Sequence, residues 1–377
     1  MQATISTRLG RILATAGLAC AVSASWAAPH AHTYSVTDLG HVSGVSLNDR
    51  GQIVGTRNRE GGGISGFVWD AKTGFRELGT PNGPWVQPGA ISRNGLVVGH
   101  TYGIGHPVKP FVWSQGAGMR AIDLPASALY GEAVSVNRHG TVLLKVRFEG
   151  ADSIYTWSEG AGLKRVLHGN ESLGSGYFPL DINDSGAITG HHYSPVSPFV
   201  RFADGTQADL GLLDGTWAGP ADINNRGWVV GSAGTNPQEV CYEDVCWTEE
   251  TPHAFLWNAK DGMVDLDAGT PGVQSYAHAV NDAGVVVGVT VGEGAFLWEK
   301  GEKTFINTVL STAGYDIREA RDINSRGQIL AFAADGRTVL LSPAPEPETV
   351  ALFVVGLGAL AWRARRQRAA LAATAAA

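Results

Sequence analysis

Cysteine and methionine are both scarce in this 377-residue chain, which has three of each. Cys20 lies in an apolar N-terminal segment, so Cys241 and Cys246 are the cysteines of the main body. A zinc site needs three or four ligands, and only His253 lies near this pair. Two cysteines at this short spacing instead predict a local disulfide across a hairpin loop, as in proteins of oxidising compartments. We expect no metal site and no cofactor.

The chain also lacks an excess of positive charge. Its net charge is −7, and residues 28–342 alone contain 22 basic and 33 acidic residues, a net charge of −11. This acidity excludes the electrostatic footprint needed to bind nucleic acid or an anionic membrane surface. No apolar run reaches the roughly 20 residues of a comfortable membrane-spanning helix.

The N-terminal apolar run predicts a cleaved export signal. Arg8 and Arg11 precede the run at residues 12–22, which is too short to span a bilayer. Ser25, Trp26 and Ala27 form a small-x-small cleavage site. We therefore expect a signal peptide at 1–27, with cleavage after Ala27, and a body at 28–342.

The C-terminal segment, 343–377, combines three features in a fixed order. A Pro-Glu-Pro triplet precedes an apolar run at 350–362, and a basic cluster follows; the residues concerned are Pro345, Glu346, Pro347, Arg363, Arg365, Arg366 and Arg368. A short apolar run that ends in arginines can hold a translocated chain with its basic end in the cytoplasm.

This segment resembles the PEP-CTERM sorting signal of bacterial surface proteins. The resemblance implies that an exosortase-type membrane enzyme recognises the tail and removes it at or near Pro345–Pro347. It also implies a transmembrane sorting helix at 350–362 that anchors the exported protein transiently. The location it implies is the cell surface or the medium.

A phrase of the form apolar-Asn-x-x-Gly, followed by a β-branched pair, recurs seven times at spacings of 41 to 57 residues. Its asparagines are Asn48, Asn137, Asn183, Asn224, Asn281 and Asn324, and Ser92 stands in the remaining copy. Asparagine can bond its own backbone two residues on, and glycine accepts positive φ, so the phrase predicts a tight turn between strands. Calcium binding is the alternative, but the closing glutamate of a calcium loop is missing.

Each unit contains four short β-rich runs, one of which alternates Phe and Trp, as in "GFVWD" and "AFLWN". Alternating rings lie on one face of a strand, and we expect them to pack between units as core. Seven such units predict an all-β fold, a β-propeller with seven four-stranded blades. The last unit lacks its fourth run, which residues 34–40 can supply, so the N-terminal strand is expected to close the ring. An open solenoid is the alternative.

The phrase His253-Ala254-Phe255, together with the recurring turn, resembles the HAF family of extracellular repeat proteins. The resemblance covers about residues 34–342. It implies an exported repeat protein without established chemistry.

Three aspartates, Asp181, Asp222 and Asp322, each precede a repeat turn by two residues. Because they share one repeat position, we interpret them as structural. A pair of acids across a glycosidic bond is the enzymatic alternative. The sequence lacks G-x-S-x-G, Walker and H-E-x-x-H motifs. His191 and His192 have no third ligand nearby and are expected in a solvated loop.

Two groups of residues are candidates for binding. Trp85, Trp217 and Trp228 lie outside the alternating strands and could stack on sugars. The fifth unit carries an acidic insertion with a candidate set of Glu243, Asp244 and Trp247. A long loop on a rigid scaffold is a common place for binding residues, so the insertion is expected to take part in a partner or cation-bridged ligand site.

Together these patterns predict an exported surface or biofilm-matrix repeat protein with a non-enzymatic binding or structural role. Its expected partners are the processing enzyme and an extracellular polysaccharide or a surface protein. Two alternatives stay open: a propeller hydrolase or lyase acting on extracellular polysaccharide, and a protein-interaction scaffold. Convergence of acids on one end of the central channel would favour the enzyme.

Overall fold

The computed structural model describes residues 33–59, 62–80, 85–169, 176–193, 196–243, 245–311 and 314–344. The predicted signal peptide with Ala27, the sorting tail from Pro345 onward, and Asp244 lie outside the described residues.

The described chain forms 28 β-strands in seven four-stranded antiparallel sheets, which are the seven blades of a β-propeller. Blade 1 contains β2 (Ser43–Leu47), β3 (Ile53–Asn58), β4 (Ile64–Asp70) and β5 (Gly74–Glu77); blade 2 contains β6 (Trp85–Ile91), β7 (Val97–Gly103), β8 (His106–Ser114) and β9 (Gly118–Ala121). Blade 3 contains β10 (Tyr130–Val136), β11 (Val142–Arg147), β12 (Asp152–Ser158) and β13 (Gly162–Leu167). The all-β, seven-bladed prediction is confirmed.

The remaining blades follow the same order, with one exception in blade 7. Blade 4 contains β14 (Tyr177–Ile182), β15 (Ile188–Tyr193), β16 (Val196–Arg201) and β17 (Gln207–Asp209); blade 5 contains β18 (Ala218–Ile223), β19 (Val229–Tyr242), β20 (Val245–Asn258) and β21 (Gly262–Asp265). Blade 6 contains β22 (Ser275–Val280), β23 (Val286–Thr290), β24 (Gly294–Glu299) and β25 (Glu302–Phe305). Blade 7 combines β26 (Ile317–Ile323), β27 (Ile329–Ala333) and β28 (Thr338–Pro343) with β1 (Tyr34–Gly40).

The first strand closes the ring by pairing with the last. β1 runs antiparallel to β28, with Tyr34 opposite Pro343 and Asp38 opposite Val339. The Tyr34 side chain is buried, and Asp38 forms an ion pair of 2.6 Å with Arg337. The closure covers the free edge of β28, as the complementary run at residues 34–40 predicts.

The core lies between the blades and is built from the alternating aromatic strands. Five of these phenylalanines are fully buried: Phe67, Phe111, Phe199, Phe255 and Phe296. The tryptophans two residues further on in β4, β8 and β20 are also buried. The interpretation of these rings as core is therefore confirmed.

Every inner strand carries a β-bulge just before its last residues. The register shifts lie at Gly44/Ser46, Pro88/Ala90, Ala133/Ser135, Pro179/Asp181, Pro220/Asp222, Ala277/Ala279 and Ala320/Asp322. A bulge re-aims the side chain that follows it. Here it sets the direction of the residue two positions before each repeat turn.

Helix is nearly absent from the described residues, where the named helix is the 3-10 turn Ile306–Thr308. Within this part of the chain, no helix is long and apolar enough to cross a membrane.

Candidate functional site

The seven repeat turns lie together at one end of the central channel, here called the turn end. Within each turn the Asn Oδ1 accepts the backbone N–H groups two and four residues on; for Asn224 these belong to Arg226 and Trp228, both at 3.0 Å. The same pattern holds at the five other repeat asparagines. The predicted turn chemistry is therefore present.

Each repeat asparagine also binds the next blade, which the turn pattern did not predict. Its Nδ2 donates to the carbonyl oxygen of the equivalent residue there, at 2.9 to 3.3 Å; the donors are Asn48, Asn137, Asn183, Asn224, Asn281 and Asn324. The bond from Asn324 to Asn48 joins the last blade to the first. The turns thus form a buried hydrogen-bonded ring.

Ser92 interrupts this ring between blades 2 and 3. Its hydroxyl accepts the N–H of Leu96 within its own turn, at 3.1 Å, and is too short to reach the next blade. Asn94 compensates, because its Nδ2 donates to the carbonyl of Arg138 at 3.0 Å. This substitute bond is exposed, whereas the six repeat bonds are buried.

The three aspartates that follow the bulges lie just inside the asparagine ring. Asp181 accepts from the Ser135 hydroxyl and from the N–H of Ile223 at 3.3 Å. Asp222 accepts from the N–H groups of Ile223 and Val280, at 2.8 and 2.7 Å. Ile223 and Val280 each belong to the blade after the aspartate that reaches across to them.

Asp322 makes the same contact across the closure of the ring. It accepts from the N–H groups of Leu47 and Ile323, both at 2.7 Å. All six carboxylate oxygens of Asp181, Asp222 and Asp322 therefore accept a hydrogen bond from the protein. This supports the interpretation of these residues as structural, because they join neighbouring blades.

The same aspartates converge on one cavity. The channel widens at the turn end into an open space of about 240 Å³, lined by the three aspartates, Ser46 and Ser135 among others. Burial raises the pKa of Asp222 well above its ordinary value, and the charge of Asp181 raises it further. Burial also raises the pKa of Asp322 to about 6, against the lowering effect of the Leu47 and Ile323 N–H groups.

A second ring of charged and amide side chains surrounds the mouth of this cavity. The N–H of Arg138 donates to Asp184, that of Asp184 to Asn225, and that of Asn225 to Asp282, each at 2.8 Å. Asp49 accepts from Ser325 in the same way across the closure. These acids, too, are engaged in bonds between blades.

The three candidate tryptophans do not converge. Trp85 begins the inner strand β6, and Trp217 directly precedes β18; both lie at the end of the channel opposite the turns, here called the far end. Trp228 lies at the turn end, where its ring contacts the Gly284 backbone and the Arg226 guanidinium. All three are half-buried rather than fully exposed.

The acidic insertion contains the predicted disulfide and hairpin, but it forms regular β-structure and not the expected long loop. β19 and β20 continue beyond the sheet as a two-stranded hairpin that places Cys241 opposite Cys246, and these two are bonded as a disulfide. Near its tip, Tyr242, Val245 and Trp247 are exposed, and Glu243 adopts a left-handed φ of 53°. The signal in the sequence for this extension was the presence of Val240, Tyr242 and Val245, residues that favour strands.

Glu239 lies within 4.8 Å of both hairpin sulfur atoms. Disulfide-bonded sulfurs are not thiolate ligands, so this group is not a metal site.

His191 and His192 also differ from expectation, because they lie within β15 and not in a solvated loop. They pair with Phe178 and Tyr177 of the inner strand, and both histidines are half-buried. His253, from the His-Ala-Phe phrase, is buried with its Nδ1 at 2.9 Å from the Asp265 carboxylate.

These features define a closed seven-bladed β-propeller with acids at one end of its channel. Residues 343–367 match the model of the PEP-CTERM protein-sorting motif, so the chain carries a signal for export and exosortase-type sorting. The search of curated proteins found no similar sequence.

Solved propellers resemble the chain in fold alone. The β-propeller domain of the Trilobed protease from Pyrococcus furiosus, described as having an open velcro topology, aligns with a TM-score of 0.51 and 13% identity over 81% of this chain and 94% of that one. A catalytically inactive virginiamycin B lyase from Staphylococcus aureus, solved with quinupristin, aligns with a TM-score of 0.50 and 11% identity over 82% and 99%.

Proposed function

We propose that this exported propeller acts at the cell surface or in the extracellular matrix as a non-enzymatic binding or structural module. The observation that carries the proposal is that all six oxygens of the three inner aspartates bind groups of the protein itself. A catalytic acid or base must exchange its proton with substrate, and these carboxyls are engaged in holding blades together. The sorting motif supports a location outside the cell.

The test uses the purified exported protein and the extracellular polysaccharide of the strain that makes it. Bound protein and released sugar are measured in the same sample. We expect retention of the protein without release of sugar. A protein that is neither retained nor able to release sugar would contradict a polysaccharide-binding role.

An enzymatic role as hydrolase or lyase is the second candidate. The convergence of Asp181, Asp222 and Asp322 on one open cavity favours it, as does the raised pKa of Asp222, since a protonated carboxyl can act as a general acid. Sugar release that is lost in Asp222→Asn, with the fold intact, would establish this candidate over the first.

A protein-interaction scaffold is supported by the hairpin of blade 5. Its exposed Tyr242, Val245 and Trp247 project beyond the sheet, where a partner could reach them. Replacing residues 239–250 by a two-residue turn should then abolish binding of a surface protein while leaving the propeller folded. Unchanged binding of every ligand by this variant would exclude the hairpin from the site.

A further inference from the structure

A continuous row of side chains, here called the far-end row, runs from Trp85 in blade 2 to Tyr193 in blade 4. It begins with Trp85, whose ring centroid lies 5.2 Å from that of Tyr102, and continues to His100, 5.7 Å from Tyr102. His100 is near both Glu132 and Lys145 of blade 3, whose charges act on its pKa in opposite directions. The charges of Glu132 and Lys145 thus link the blade 2 part of the row to blade 3.

The row continues from blade 3 into blade 4. Lys145 Nζ lies 2.8 Å from Glu132 and 4.5 Å from the ring centroid of Phe178. The Phe178 ring stacks on His191 at 5.3 Å, and Tyr193 lies 6.1 Å from Phe178 and 5.6 Å from His191. Tyr193 is 43% exposed and ends the row at the surface.

Comparison between the repeats shows that blades with small side chains flank the row on both sides. At one register position of the two inner strands, blades 2, 3 and 4 carry the pairs Gln87/His100, Glu132/Lys145 and Phe178/His191. The flanking blades 1 and 5 carry Ser43/Thr56 and Gly219/Ser232 at the same position. The row is therefore bounded on both sides by small side chains, and beyond them blades 6 and 7 carry Tyr276/Val289 and Glu319/Phe332.

The chemistry of the row is aromatic, rich in hydrogen-bonding groups and close to neutral. Glu132 neutralises Lys145, and the nearby Arg147 and Asp152 pair at 3.1 Å. Burial lowers the pKa of His191 and of His100, so neither imidazole adds positive charge at neutral pH. Among the described residues of the row, the charges of Glu132 and Lys145 are therefore paired with each other, which gives an anionic ligand little attraction.

We propose that the far-end row binds an uncharged oligosaccharide. Sugar rings present flat C–H faces that pack on Trp85 and Tyr193, and their hydroxyls can both donate and accept, which suits Glu132 and the imidazoles. The inference rests on the proposed binding function and deepens it, because it names the surface and the ligand class. It places binding at the end of the channel opposite the aspartates.

The test compares truncations of two aromatic side chains of the row with a matched control. Tyr193→Ala and Trp85→Ala each remove one stacking surface of the row. Phe75→Ala removes a ring of similar exposure, 38%, from the outer strand of blade 1. Tyr193→Phe keeps the ring and loses the hydroxyl. This variant replaces Tyr193→Ala in the comparison if Tyr193→Ala does not fold. Thermal unfolding of each exported variant shows whether the fold is intact.

The probes are hexasaccharides of β-glucan, mannan and xylan, a uronate hexasaccharide, and the extracellular polysaccharide of the producing strain. We expect saturable binding of at least one neutral hexasaccharide, weakened about tenfold by either alanine variant. Phe75→Ala should bind as the unmodified protein does.

The possible failures separate the two proposals. If the polysaccharide retains the unmodified protein and both alanine variants equally, the far-end row is excluded and the binding function stands. If the protein binds the uronate more tightly than every neutral sugar, the proposal that the ligand is uncharged is wrong. If nothing binds the unmodified protein, the far-end site and the proposed binding function both fall.

Discussion

At the residue scale, the repeat asparagine holds the ring together with both ends of its amide. Oδ1 closes the turn and Nδ2 reaches the next blade, so a single side chain links local and tertiary structure. Aspartate could accept the two turn bonds but could not donate the third. This is a physical reason for the preference for asparagine in this chain.

Removing one such amide should be costly. Asn224→Ala loses two turn bonds and the buried bond to the Asn281 carbonyl, which keeps the Gly284 N–H as a donor, so we expect the free energy of unfolding to fall by about 2 to 4 kcal/mol. Asn225→Ala is the matched control, since Asn225 also binds the next blade but is exposed, and it should cost less than about 1 kcal/mol. If chemical denaturation shows the same loss of unfolding free energy for both variants, the buried asparagine ring contributes no more than the exposed bonds, contrary to this prediction.

The gap at Ser92 offers the reverse experiment. Ser92→Asn supplies the missing Nδ2, aimed at the buried carbonyl of Asn137, and should raise the free energy of unfolding by about 1 kcal/mol. Asn94 already binds the adjacent carbonyl of Arg138, so the two bonds do not compete. A destabilised variant in the same assay would show that the amide does not fit between these turns.

The raised pKa of Asp322 predicts that the stability of the protein depends on pH. Its pKa rises from the ordinary 3.8 to about 6 on folding, so the folded chain binds this proton more tightly than the unfolded chain. The free energy of unfolding should therefore fall as pH rises from about 4 to about 6. The full shift corresponds to about 3 kcal/mol, but Asp322 is only half-buried, so we expect about 1 to 2 kcal/mol after screening by solvent.

The control for this effect is Asp322→Asn, which has no titrating group at the position. Its unfolding midpoint in denaturant should decline less between pH 4 and 6 than that of the unmodified protein, whatever its absolute stability. Parallel pH profiles of the two proteins would mean that other groups carry the dependence.

Sequence reasoning identified the aspartates but could not place them. Their shared repeat position indicated a structural role, and the bonds to the next blade agree with it. Their convergence on one cavity depends on the bulge before each of them, and a bulge leaves no sequence signal beyond a change of alternation. The second bond of each asparagine was missed because turn chemistry concerns one chain segment only.

At the scale of single elements, the bulge explains the last glycine of the repeat phrase. A Cβ on Gly231 in β19 would lie 2.1 Å from the carbonyl oxygen of Gly219, where the bulged inner strand approaches the second strand. The same close approach occurs at Gly55, Gly99, Gly190 and Gly288. In these five blades strand packing, and not a turn, accounts for the glycine, whereas blades 3 and 7 have Leu144 and Ala331 at the same position.

Gly231→Ala should consequently destabilise the protein strongly. Because the contact is with backbone, it cannot be relieved by rotating a side chain, and we expect a loss of about 2 to 4 kcal/mol in the free energy of unfolding. Gly219→Ala, on the paired strand, is the control: its Cβ would meet nothing within 4 Å, and we expect a change of less than about 1 kcal/mol. Similar denaturation midpoints for the two variants would contradict the packing argument.

The blade 5 hairpin shows where element prediction from sequence was limited. Its disulfide register follows from the cysteine spacing, but its polar, exposed strands lack the buried face that makes other strands recognisable. The insertion therefore resembled a loop in sequence while forming regular β-structure. The β15 histidines were misplaced for a related reason, since polar residues continue that strand beyond its apolar part.

At the scale of the whole molecule, ring closure could be predicted from the sequence. The repeats could be counted, and the fourth strand missing from the last repeat was found at residues 34–40. The far-end row could not be predicted, since its members lie on separate blades and only the ring brings them together. His100, Lys145 and His191 occupy equivalent positions in successive repeats, about 45 residues apart. Their proximity is a property of the closed propeller.

Closure by β1 should dominate global stability. Deleting residues 33–42 removes a full strand and leaves the edge of β28 unpaired, so we expect the unfolding temperature to fall by more than about 10 °C, with concentration-dependent aggregation. Deleting residues 239–249 removes a comparable length from the hairpin beyond the sheet, keeps the bond from the Thr216 N–H to Glu250, and should leave the unfolding temperature nearly unchanged. Calorimetry of both deletions at two concentrations tests the contrast; equal effects would contradict a special role for closure.

Removal of the sorting tail, in contrast, should leave the propeller intact. β28 ends at Pro343, and the N–H of Ala344 donates to the Thr33 carbonyl at 2.7 Å, so the ring is complete before the predicted cleavage region at Pro345–Pro347. We expect the intact mass of the exported form to correspond to a chain that ends near Pro347. Its unfolding temperature should equal that of the unprocessed, detergent-extracted form. An exported chain that retains Arg363 would indicate a permanent anchor, and a lower unfolding temperature after cleavage would show that residues beyond Ala344 stabilise the ring.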